Sequence, residues 1–115
     1  MWYNKFIGKR KLYNIEDFRK INKSENIVIS LHGHLRLNER SITVDDVINA
    51  INNGEIIEQY PTDFPFPSCL ILGLSINNEY IHIVVSMNAG KIYLITAYKP
   101  GLDKWESDLK TRKEV

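Results

Sequence analysis

Histidines and arginines are the groups in this sequence best suited to moving protons and holding phosphate. Where Ser30 caps a helix, His32, Arg36 and Arg40 follow at i, i+4 and i+8, one polar stripe beside the apolar Leu31 and Leu35. His82 lies in an alternating run that puts it on one sheet face with Tyr80 and Val84. Imidazole titrates near neutral pH, and the planar guanidinium fork matches phosphate oxygens. These types suit metal-free phosphodiester chemistry: His82 and His32 exchange protons, Arg36 and Arg40 hold the phosphate as its charge builds, and Tyr98 or Lys99 assists from a strand end. Lys5, Lys9, Arg10 and Lys11 would add salt-sensitive affinity for a nucleic-acid backbone.

Each group also has a structural role open to it. His82 is equally a core residue bonded to a neighbour, and His32 a brace for its helix. Arg36 and Arg40 can pair with Glu39, Glu55 or Glu58, and Tyr98-Lys99-Pro100 reads as a strand end turned by proline. Trp2 and Trp105 read as docking anchors. A metal site built from His32, His34, His82 and Cys69 is disfavoured, because i and i+2 on a helix diverge by about 200°. Without a glycine-rich phosphate loop, a serine elbow or a CxxC pair, no metal or cofactor is expected.

The elements that must position these groups follow from pattern. At 115 residues and 43% hydrophobic the chain is the size of one compact domain, with a core that needs no disulfide. Its single cysteine, Cys69, sits in an apolar run and reads as a small buried side chain in a reducing compartment. No apolar run approaches the roughly 20 residues that span a bilayer, and the first residues lack a secretory pattern, so a cytoplasmic location is expected. Residues 1 to 23 carry seven Lys and Arg against two acids, while the remainder is mildly acidic. Such an arm can meet nucleic acid or cover an acidic face of its own domain.

Residues 1–13 read as a basic aromatic arm, 14–54 as helices, 55–98 as sheet and 99–115 as a polar C-terminal segment. Ile15, Phe18 and Ile21 space a short helix from Asn14 to Ser24. Ile27-Val28-Ile29 is too short to assign. Thr43 to Asp46 resembles a capping box with Asp in place of Glu, and Gly54 stops the helix that follows. Strands are expected over Ile56 to Tyr60, Cys69 to Ile76, Tyr80 to Ser86 and Ile92 to Tyr98, the first two separated by a proline-containing loop. The last segment is compatible with a helix from which Trp105 docks back. This is an α+β pattern: helices on a four-stranded, mainly antiparallel sheet.

From Ser30 onward the chain resembles a bacterial family known as domain of unknown function 4258. The resemblance rests on Ser30-Leu31-His32, Arg36, Glu39-Arg40, Ile42 to Val47, Gly54 to Ile57, Tyr60-Pro61, Pro67-Ser68, Ile81 to Val84, Thr96 to Pro100 and Trp105. Ser41 departs from it, since the family usually has glycine between the Arg and the Ile, and the basic arm lies outside it. The resemblance implies similarity to small toxins of the RelE and BrnT kind. Those are metal-independent ribonucleases with helices ahead of an antiparallel sheet, and some such chains are encoded beside a zinc-finger antitoxin. RNA and such an antitoxin are thus the expected partners. A non-catalytic module that grips a protein or nucleic acid through the same His/Arg seam is the alternative.

Overall fold

The structure is a computed structural model and describes residues 12–114. Helix α1 (Ile15–Lys20) opens where the Asn14 side chain accepts from the Glu16 N–H at 3.0 Å, with Glu16 and Asp17 at the positive end of its dipole. It is shorter than the spacing implied. Ile21 ends it, and Ser24–Asn26 form a separate 3-10 turn. Helix α2 (Leu31–Glu39) starts at Ser30, whose Oγ accepts from the Gly33 N–H at 3.0 Å. Helix α3 (Val44–Asn53) carries the expected capping box: Thr43 Oγ1 accepts from Asp46 N–H, and Asp46 Oδ2 accepts from Thr43 N–H.

Between α2 and α3 the backbone passes through a left-handed residue, Ser41 at φ 57°. The Ile42 N–H returns to the Leu37 carbonyl at 3.0 Å, the arrangement that commonly closes a helix on glycine. Glycine would make this turn freely, whereas serine makes it with a Cβ in the way.

The sheet has five strands, one more than the four expected. Ile27–Val28 forms β1, followed by β2 (Glu55–Tyr60), β3 (Ser68–Leu74), β4 (Tyr80–Asn88) and β5 (Lys91–Tyr98), in the order β1-β5-β4-β3-β2. Two residues carry no readable period, and their partner is the distant β5, which β1 joins in parallel. The other pairings are antiparallel.

Helices cover one face, where Val47, Ala50 and Ile51 of α3 pack with Phe18, Leu37, Ile71, Ile81, Ile83 and Val85. Cys69 is fully buried there, and burial pushes its thiol up to about 12. The opposite face, with Leu70, Leu72 and His82, lies beneath the segment after Tyr98. That segment is not helical. It makes turns and one isolated bridge from Trp105 to Arg112, and Trp105 docks as expected, only 3% exposed.

Candidate functional site

One group of expected residues meets in a cleft between α2 and β5. His32, Arg36 and Arg40 line it together with Gly33, Leu37 and the β5 residues Leu94 to Ala97, around a cavity of about 190 Å³. A Cβ at position 33 would meet Ile29 Cγ2 at 2.9 Å, so the glycine lets the segment ahead of the helix fold against its first turn. Leu37 is buried toward the sheet, and Arg40 closes the helix by donating Nη1 to the Ala97 carbonyl at 2.8 Å and to Thr96 Oγ1 at 3.2 Å. Arg36 and His32 are exposed at the mouth. No carboxylate of the described residues pairs with Arg36 or Arg40; Glu55 pairs with Lys110 and Glu58 with Arg112 instead. Residues 1–11 contain no Asp or Glu. The cleft therefore concentrates positive charge that nearby carboxylates leave unneutralised.

A second polar group lies on the sheet face away from the helices, and two β-bulges assemble it. In β2 the register steps from Ile56 opposite Ile71 to Glu58 opposite Leu70, so the extra residue Ile57 moves Glu58 and Tyr60 off the helix face. In β5 the step from Leu94 opposite Val85 to Thr96 opposite Val84 does the same for Tyr98, which comes to face His82. His82 is fully buried with both ring nitrogens engaged: Nε2 lies 2.8 Å from the Leu109 carbonyl and Nδ1 lies 3.2 Å from the Tyr98 hydroxyl. The carbonyl can only accept, so Nε2 carries the proton and Nδ1 accepts from Tyr98. Burial holds the imidazole below its ordinary pKa despite the opposing pull of the Leu109 carbonyl and Glu58.

Trp105 meets the His82 ring edge-on at 4.5 Å, and the Arg112 guanidinium lies 4.7 Å from the Trp105 ring centre. Arg112 also grips Glu58 through Nε at 2.9 Å and Nη2 at 3.0 Å, while the Tyr60 hydroxyl donates to the same carboxylate at 2.5 Å. Burial would raise the Glu58 carboxyl, but these donors hold it below the usual range. Burial and the negative neighbour push the Tyr60 hydroxyl up to about 12.

The structure thus brings His32, Arg36 and Arg40 together, and separately joins His82 to Tyr98. The first three line the cleft beside α2, while His82 is sealed beneath the C-terminal segment. Lys99 sits beyond the end of β5 and pairs with Glu79 at 3.5 Å. Lys5, Lys9, Arg10 and Lys11 lie outside the described residues. Glu58, Tyr60 and Arg112 escaped the sequence reading as site residues, because only the bulges bring the first two onto the His82 face. Among the described residues no three His, Cys, Asp or Glu side chains cluster as a metal site, and no helix is long and apolar enough to cross a membrane.

No curated protein and no solved structure matches the chain significantly. Residues 29–99 match the family described as Domain of unknown function (DUF4258), a span running from just ahead of the Ser30 cap to Lys99 and containing both polar groups except for Trp105, Leu109 and Arg112. The chain belongs to the DUF4258 family.

Proposed function

We propose that the chain is a binding module that takes an oxyanion, carried by a macromolecular partner, into the cleft between α2 and β5. The observation that carries this reading is the cluster of His32, Arg36 and Arg40 around one open cavity with no carboxylate partner among the described residues. Arg40 is held by β5 and contributes a fixed positive wall, while Arg36 and His32 remain available as donors. Charge-assisted bonds from a guanidinium are among the stronger ones a protein makes. Titration of the full chain with short single-stranded RNA and with a glutamate-bearing peptide tests it. Arg36→Ala should weaken whichever probe binds by about tenfold and leave the melting temperature unchanged, since the side chain is exposed. Equal affinity in the variant refutes the reading.

A second reading is a metal-independent ribonuclease of the RelE/BrnT kind, with RNA as substrate and a zinc-finger antitoxin as partner. The convergence of Glu58, Tyr60, His82, Tyr98 and Arg112 on one face supports it, since proton donors, acceptors and a cation are what such a reaction needs. In that reading the C-terminal segment moves aside before His82 meets RNA. Cleavage in chelator that disappears in His82→Ala favours the enzyme. A parent that cuts nothing and arrests no growth on expression leaves the binding module.

A further inference from the structure

We infer that the outer edge of β5 beyond Tyr93 receives an extended segment of a partner protein whose side chains alternate acidic and apolar. This rests on the cleft reading above and names the partner class for it. Strand β1 accompanies β5 only at Ile92 and Tyr93; the chain then turns at Ser30 into α2, and among the described residues no strand continues along Leu94 to Tyr98. Arg40 Nη1 takes the Ala97 carbonyl, so the part of the edge left as a template for one more strand is Leu94 to Thr96.

Two cavities of opposite character meet along this edge and share Leu94 and Ile95. One is the cleft of His32, Arg36 and Arg40. The other is an apolar groove of about 540 Å³, lined by Val28, Phe64, Phe66 and Tyr93. It holds apolar side chains in water: Phe64 is 90% exposed and Ile95 49%. Successive side chains of an added strand point to opposite faces, so alternate residues enter the basic cleft and the others enter the groove. Carboxylates fit the first set of positions, and aliphatic or aromatic groups fit the second.

An RNA strand suits the pair of cavities less well. The groove's charged residue is the acidic Asp63, which repels phosphate. The chain's own first eleven residues carry no acid, so they lack the charge complement.

Selection of a random peptide library on the full chain, followed by fluorescence anisotropy with the selected peptide, tests the inference. The selected sequences should alternate carboxylate and apolar residues. Arg36→Ala and Ile95→Lys should each weaken the peptide about tenfold. N-methylation of alternate peptide amides, which removes strand hydrogen bonds without touching the protein, should abolish binding even if Ile95→Lys fails to fold. Selected sequences without alternation, or a methylated peptide that binds as well as its parent, overturn the strand arrangement. If no peptide is selected while single-stranded RNA binds and loses affinity in Arg36→Ala, the partner class is overturned and the cleft reading stands. If neither probe binds, both fall.

Discussion

Replacing Trp105 by alanine should unseal His82. The indole is 3% exposed, and a side chain of its type buries about 150–250 Å². At about 25 cal/mol/Å² that burial contributes roughly 4–6 kcal/mol as an upper bound. The release is partly offset, because Trp105 is the one buried side chain after Tyr98 among the described residues, and a freed segment regains conformational entropy. A net loss of about 2–3 kcal/mol is expected, a fall in melting temperature of roughly 10 °C.

The same substitution carries a pH signature. In the parent, burial keeps the folded-state pKa of His82 below its ordinary value of 6.5. The unfolded chain therefore binds the proton first, so this contribution to stability is complete above about pH 6.5 and is lost as pH falls from there through the folded value. In Trp105→Ala the imidazole titrates nearer its ordinary value, and stability depends less on pH across that window. NMR titration of the His82 ring with thermal melts at several pH values reads both effects. A variant that melts like the parent, with an unchanged His82 titration, refutes the claim that Trp105 seals the histidine.

Ser41→Gly should stabilise the fold by about 0.5–1 kcal/mol, because a left-handed non-glycine residue costs roughly 1–2 kcal/mol and the extra freedom of unfolded glycine returns only part of that; the urea midpoint measures it. Gly73→Ala should cost about 2–3 kcal/mol, since the new Cβ would lie 2.3 Å from the Ala50 carbonyl oxygen and push α3 off β3. A lower urea midpoint checks it.

Local chemistry was legible in the sequence. Ser30 and Thr43 announce their helices because a hydroxyl before an apolar period satisfies amides that the first turn leaves unpaired, and Gly54 ends α3 where the pattern stops. The stripe of His32, Arg36 and Arg40 follows from the same helix period. What depends on distant pairing was not legible. The alternating run identified the companions of His82 on its own strand, but it could not show that Leu109 would turn a carbonyl onto the ring. Nor could it show that Ile57 and Ile95 are extra residues, since a bulge leaves no mark in composition and is defined by the opposing strand. The C-terminal segment failed as a helix because Asp108 turns its carboxylate onto the Lys110 and Thr111 amides, tying a local loop instead.

The two bulges let each strand carry one surplus residue without turning its other side chains over. Were Ile57 missing, Glu58 opposite Leu70 would follow Ile56 opposite Ile71 in unbroken register, and Thr96 would follow Leu94 in the same way without Ile95. A strand of equal length that paired without a bulge would instead set Glu58, Tyr60 or Tyr98 toward the helices, each letter keeping its place in the text while its side chain changes sides.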